Sequence, residues 1–264
     1  MFYTDSDALF WIEKIIAVAI IFQTLELIKI RETVMEQGIW SWSILKKEFE
    51  VFPPILQRVL DRLLKYPNFA FLLFARLLCA ILILVISHPV PMFVLLLSTI
   101  VIALRWRGTF NGGSDYMTII ILSALCIAAS FKNYFGVAFG CLWYITLQVC
   151  ASYFIAGIVK LRRKNWRTGL ALQCFLNSTI YEPQALLQAL SKNFPLMCLA
   201  SWLIMLFEIS FPLALLDPRI CLAFISMAFL FHLANCYVFG LNRFLFAWSA
   251  AYPALLYCSL IRFN

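Results

Sequence analysis

Apolar residues run along this chain in eight long blocks, at about 10–29, 68–87, 90–104, 116–131, 135–158, 195–215, 220–239 and 241–260. A helix needs about 20 mainly apolar residues to cross the hydrocarbon core of a bilayer. The pattern therefore predicts about eight membrane-spanning helices. Unbroken runs such as 91–104 exclude a transmembrane β-barrel, whose strands alternate lipid-facing and lumen-facing positions. Between the blocks stand helix stops and turn formers: Pro89 and Pro91, Asn111-Gly112-Gly113, Asp217-Pro218-Arg219 and Gly240. Secondary transport would call for inverted repeats and broken midplane helices, and the sequence shows no internal repeat.

Two connections carry a pattern of their own. In 51–65, Val-Phe-Pro-Pro opens a helix with Ile55, Leu56, Val59, Leu60, Leu63 and Leu64 on one stripe and Arg58, Asp61, Arg62 and Lys65 on the other. Such a helix is expected to lie in the headgroup plane. The segment 183–193 opens with Pro183 and spaces Leu186, Leu187 and Leu190 helically, a weaker signal of the same kind. The fold class expected is all-α, a polytopic membrane helix bundle with one or two interfacial amphipathic helices.

Composition agrees and removes alternatives. Hydrophobic residues make up 64% of the 264 positions and charged ones 13%, against roughly 45–50% and 25% in soluble domains. A water-soluble globule is excluded, and residues 1–264 read as a single transmembrane domain without a separate soluble one. The acidic start, Met1-Phe-Tyr-Thr-Asp-Ser-Asp, lacks the basic region of a signal peptide, so the first helix is expected to stay. Of the 21 Lys and Arg, 16 fall in the connections after spans one, three, five and seven. The positive-inside rule then places both termini away from the cytoplasm. Topology and anionic lipid account for the net charge of +8, and nucleic-acid binding needs no separate hypothesis. The 9 cysteines lie almost entirely in apolar blocks and form no CxxC or Cys/His zinc spacing, so neither a disulfide framework nor a metal site is expected.

Charged groups at helix centres are costly and normally face a bundle interior or a wet cavity. Glu13 and Lys14 lie near one end of the first span, where snorkelling suffices. Arg76 is deeper and is expected to pair with an acid on another helix, as a structural pair or as a ligand contact. Glu208 is too central to reach water, with Arg76 or His232 as expected partners. His232 and Asn235 share one helix face. The fifth span places Tyr153, Gly157 and Lys160 at i, i+4 and i+7, again one face. Burial and the positive neighbours at 162, 163 and 164 favour a neutral amine at Lys160, which can act as a general base. A snorkelling lysine opening a basic cluster fits the same spacing. Arg105, Arg107 and Asn111 suit an anionic headgroup or peptide carboxylate, and they equally suit a topology-setting role.

The order of these residues resembles a known family. Tyr153-Phe-Ile-Ala-Gly-Ile-Val-Lys-Leu with Trp166 and Gly169, preceded by Gln148, resembles the HTTM (horizontally transferred transmembrane domain) family, which includes the vitamin K-dependent gamma-glutamyl carboxylase. Phe207-Glu-Ile-Ser, Leu215-Leu-Asp217, Phe231-His-Leu-Ala-Asn235 and Phe239-Gly-Leu-Asn-Arg-Phe-Leu-Phe-Ala-Trp-Ser-Ala-Ala-Tyr-Pro follow in the family's order. Arg105-Trp-Arg-Gly-Thr-Phe-Asn-Gly-Gly-Ser-Asp115 resembles its Asn-containing loop. The likeness covers about 105–259.

The resemblance implies that Lys160 deprotonates a reduced quinone, a vitamin K-like lipophilic cofactor. Gln148, Tyr153, Glu208, His232 and Asn235 would shape its pocket, and a peptide or small substrate would be modified. It also implies a sidedness opposite to the charge rule. The chain has Gly113 where the carboxylase has a histidine, and it lacks the region that grips propeptides, so complete carboxylation is not expected. The alternative is a non-catalytic membrane partner for maturation or export of a small secreted peptide, as a short HTTM relative in bacterial sporulation-delay toxin systems is thought to be. The location expected is the bacterial inner membrane, with membrane lipid and a small secreted peptide or partner membrane protein as partners.

Overall fold

The computed structural model describes residues 3–106, 112–178 and 185–261, and among these no strand occurs. In chain order the helices are α1 (Asp5–Lys29), α2 (Arg31–Val34), α3 (Trp42–Leu45), α4 (Pro54–Leu64), α5 (Asn68–Val85), α6 (Pro89–Arg105), α7 (Gly112–Ser130) and α8 (Val137–Arg162). They continue with α9 (Lys164–Arg167), α10 (Leu170–Leu176), α11 (Ala185–Ser191), α12 (Phe194–Ser210), α13 (Pro218–Phe239), α14 (Asn242–Ser249) and α15 (Tyr252–Ile261). Among the described residues 7 stretches are long and apolar enough to cross a membrane: α1, α5, 113–130 in α7, α8, Phe194–Leu215, α13 and Asn242–Ile261. Helix α6 is apolar too but has only 17 residues. The chain is an all-α, integral, multi-pass membrane protein.

Proline and glycine end the helices where the sequence places them. Asp217 caps α13, its Oδ1 accepting from the Arg219 N–H at 2.7 Å, with Pro218 at the first helical position. Gly240, left-handed at φ 67°, closes the same helix. His88 caps α6, its Nδ1 accepting from the Val90 N–H at 3.2 Å. The last span is two helices, because Pro253 in the first turn of α15 cannot continue the amide ladder of α14.

The chain divides into two compact units, residues 9–141 and residues 1–8 with 142–264. In the first, Leu27, Val34, Trp42, Phe49, Leu60, Leu64, Phe69, Leu73 and Ile102 form a buried apolar cluster. The amphipathic stripe of α4 is thus split. Leu60 and Leu64 enter this core, whereas Ile55, Leu56 and Val59 stay exposed, a second apolar edge that suits an interfacial helix.

Three charged groups within the spans of the 9–141 unit are closely partnered. Lys14 does more than snorkel: its Nζ donates to the Ile83 carbonyl at 2.6 Å, near the end of α5 where helix carbonyls need donors. Glu13 accepts from Ser87 Oγ. Arg76 is fully buried, and its guanidinium donates to Thr24 Oγ1 (3.1 Å), Thr99 Oγ1 (2.6 Å), Ser98 Oγ (3.0 Å), the Leu95 carbonyl (3.3 Å) and Gln23 Oε1 (2.7 Å). These five acceptors are neutral. Gln23 Nε2 donates onward to Asp115 Oδ1 at 3.2 Å.

Candidate functional site

The 142–264 unit holds a cavity of about 300 Å³ built by α8, α9, α10, α12, α13 and α14. Its walls are mainly aromatic and aliphatic: Phe175, Phe231, Phe239, Phe244, Leu172 and Ile204. Its polar side chains include Lys160, Glu208, Tyr153, His232, Asn235 and Ser152. A few placed polar groups in an apolar hollow is the usual constitution of a small-molecule site.

Helix periodicity explains the arrangement on α8. Tyr153 and Lys160 sit two turns apart on one face, and Gly157 lies between them. A β-carbon at Gly157 would stand 2.7 Å from Ile209 Cγ1 and 2.9 Å from Ile209 N. Only glycine lets α12 come this close, and that approach brings Glu208 within reach of Lys160. Lys160 Nζ donates to both carboxylate oxygens of Glu208, at 2.6 Å to Oε2. The Lys160 side chain is 19% exposed and that of Glu208 4%, so the pair stands at the margin of the dry interior rather than in bulk solvent. Trp166 lies beside it, with its ring centroid 5.3 Å from Nζ.

A second polar pair lies farther in. The Tyr153 hydroxyl and His232 Nε2 are 2.7 Å apart. Tyr153 stacks on Phe211 with centroids 3.9 Å apart, and the His232 ring lies nearly parallel to Trp248 at 5.3 Å. Tyr153, Glu208, His232 and Trp248 are all buried, whereas Phe175 keeps 44% of its surface exposed. The cavity therefore runs from a dry aromatic end to an outer side at α10. That outer helix is set by Gly169, whose φ is 80° and whose β-carbon would stand 2.5 Å from the Cys198 amide nitrogen. No other residue adopts this turn at such a separation without strain.

Five of the sequence-derived candidates thus meet in one place: Lys160, Tyr153, Glu208, His232 and Asn235. Glu208 finds its partner in Lys160, not in Arg76 or by contact with His232. Gln148 is half-buried and does not line the cavity. Five residues ahead of Tyr153, it lies about 140° round the helix from it. Arg105 belongs to the other unit. There it donates to the carbonyls of Val34 (2.9 Å), Trp40 (3.0 Å) and Leu64, with its guanidinium carbon 4.6 Å from the Phe69 ring centroid. This is a clamp on backbone carbonyls, which leaves little for an anionic headgroup. Arg107 and Asn111 lie outside the described residues. Sequence reasoning missed Leu172, Phe175, Phe244 and Trp248 as lining residues. Apolar and aromatic side chains in apolar helices carry no local mark of which cavity they face.

Among the described residues no group of His, Cys, Asp and Glu is placed to hold a metal ion. The family described as HTTM domain matches residues 118–260, more than half of the chain and all of the cavity's lining. The chain belongs to that family. No curated protein and no solved structure matches it.

Proposed function

We propose that this HTTM-family membrane protein takes a lipid-soluble, quinol-like molecule into the cavity, with Lys160 as the base that receives its hydroxyl proton. The observation that carries the reading is the Lys160–Glu208 pair opening onto a largely aromatic hollow of about 300 Å³. A planar, mainly apolar ring bearing hydroxyls matches this lining. Charged groups are costly in such surroundings unless paired or used.

Glu208 changes how a lysine base works here. With ammonium and carboxylate in contact, the pair accepts one proton as a unit: Nζ passes a proton to Glu208 Oε2 as it takes one from the guest's hydroxyl. Lysine ends as it began, an ammonium, and Glu208 ends as the neutral acid. The pair's net charge rises from zero to +1, so a positive group faces the oxygen that has lost its proton, in a setting where such an interaction is only weakly screened. Trp166 and Gly157 hold the pair in place, and the aromatic wall keeps water from competing for the proton. When bound, a reduced quinone supplies two-electron reducing chemistry that no side chain here has. The modified substrate is a peptide or small molecule reaching the same end of the cavity.

The test is an anaerobic titration with 2-methyl-1,4-naphthohydroquinone in lipid nanodiscs, read by ultraviolet absorption. An ionised hydroxyl moves the ring's absorption to longer wavelength. The wild type should show the shifted band and Lys160→Met should lose it. An identical band in both proteins would remove Lys160 from the chemistry and favour the non-catalytic peptide-maturation partner.

A further inference from the structure

Helix α4 is an amphipathic element of the 9–141 unit that the Lys160 cavity does not use. Only residues 65–67 separate it from α5, which is long and apolar enough to cross a membrane. It therefore starts from the level at which a span meets the bilayer surface. Two tryptophans, a residue type enriched at that level, mark the same place: the Arg105 guanidinium carbon lies 5.9 Å and 5.8 Å from the ring centroids of Trp42 and Trp106. Arg105 also donates to the Leu64 carbonyl in the last turn of α4.

At about 100° per residue, the side chains of α4 fall into successive arcs. Leu60 and Leu64 enter the buried cluster. The next arc is an apolar edge left open: Ile55 keeps 70% of its surface, Val59 47% and Leu56 40%. Beyond Ile55 come Arg62, Arg58 and Lys65, all exposed.

These cations are not neutralised from within the unit. The acid of α4, Asp61, accepts from Trp42 Nε1 at 2.6 Å. With Glu50 and Trp42 it lines a hollow of about 130 Å³ on the flank away from the apolar edge. Among the described residues Arg58, Arg62 and Lys65 form no ion pair with a carboxylate, and Arg58 Nε donates only to the Pro54 carbonyl at 3.3 Å. A row of unpaired cations beside an open apolar edge fits negative charge at the border of an apolar phase. A zwitterionic headgroup brings an ammonium with its phosphate, which clustered cations repel; a headgroup of net negative charge does not. The edge is too small for a protein partner, since a stable interface buries roughly 1,200 Å² or more and this one offers three side chains on an 11-residue helix.

We propose that α4 is a docking surface for anionic phospholipid, with Ile55, Leu56 and Val59 at the acyl-chain border and Arg58, Arg62 and Lys65 selecting headgroups of net negative charge over zwitterionic ones. The surface belongs to the 9–141 unit and does not depend on the guest of the Lys160 cavity.

Hydrogen–deuterium exchange of the full chain in nanodiscs tests it, comparing phosphatidylcholine alone with an equal mixture of phosphatidylcholine and phosphatidylglycerol. One cation near an anionic surface is worth roughly fivefold in binding, so the α4 amides should exchange at least about fivefold more slowly in the mixture. The variant Arg58→Gln/Arg62→Gln/Lys65→Gln changes only exposed side chains and should abolish the difference, while α1 and α5 keep their rates. Equal wild-type rates in the two lipids, or a difference that survives in the variant, overturn the proposal. So does protection that follows the number of chains per disc rather than lipid charge, which would give the edge to a second copy. A salt titration of the wild type needs no variant to fold: screening should shrink the difference as salt rises, and a difference indifferent to salt overturns the selection by charge.

Discussion

Each unit of the molecule sets a cation among its helices, Arg76 in one and Lys160 in the other, and these two are treated in opposite ways. Arg76, in residues 9–141, has all its guanidinium nitrogens donating, to Thr24 and Gln23 on α1 and to the Leu95 carbonyl, Ser98 and Thr99 on α6, and Gln23 leads on to Asp115. Lys160, in the other unit, has one hydrogen-bond partner, Glu208, with the Trp166 ring and a cavity beside it. A buried charge in a membrane protein is usually read as a sign of function. The contrast teaches that the more telling sign is what surrounds the charge: complete satisfaction marks a structural tie, whereas a compact ion pair beside a cavity marks a place for a guest.

The largest effect expected from breaking this contrast is at Arg76. Arg76→Met deletes five hydrogen bonds from a charged donor and should cost about 5 kcal/mol of stability or more. Arg76→Lys should rescue little, since an ammonium lacks the planar fork that reaches several acceptors at once. Thermal unfolding in detergent reads both variants.

Next comes the ion pair. Glu208→Leu leaves an uncompensated ammonium and should destabilise by about 3 kcal/mol. The double variant Lys160→Met/Glu208→Leu should recover most of that stability, because apolar replacements of a buried pair are often neutral. Binding of the naphthohydroquinone should be lost in both. Recovery of stability without recovery of binding is the outcome that separates a functional pair from a structural one.

A smaller loss is expected from Gly157→Ala, about 2 kcal/mol, since the added methyl must push α12 away. It should also weaken probe binding by displacing Glu208 from Lys160, as seen in the titration. At the bottom of the scale, Gln148→Ala should leave both stability and binding unchanged within about 0.5 kcal/mol.

Much of this was legible in the residues. The eight apolar blocks mark the helices, and Pro89, Asp217-Pro218 and Gly240 mark their ends. The one-face spacing of Tyr153, Gly157 and Lys160 locates the site on α8, and the order of matching segments names the family. What stayed hidden has a common cause, which is that the partner leaves no trace in sequence. Arg105 serves the carbonyls of Val34, Trp40 and Leu64, and backbone acceptors are the same at every position. Glu208 could be assigned to several cations until close packing at Gly157 chose Lys160. Trp248 and Phe175 read as ordinary apolar helix residues, and only their meeting in three dimensions makes them cavity walls.

The most direct test of the central claim is an experimentally determined density map of the protein in nanodiscs with 2-methyl-1,4-naphthohydroquinone bound. The account predicts the ring inside the cavity between Tyr153 and Phe244, with one oxygen within hydrogen-bond reach of Lys160 Nζ. A cavity closed by its own aromatic side chains, or the ring lodged elsewhere on the protein, would contradict it.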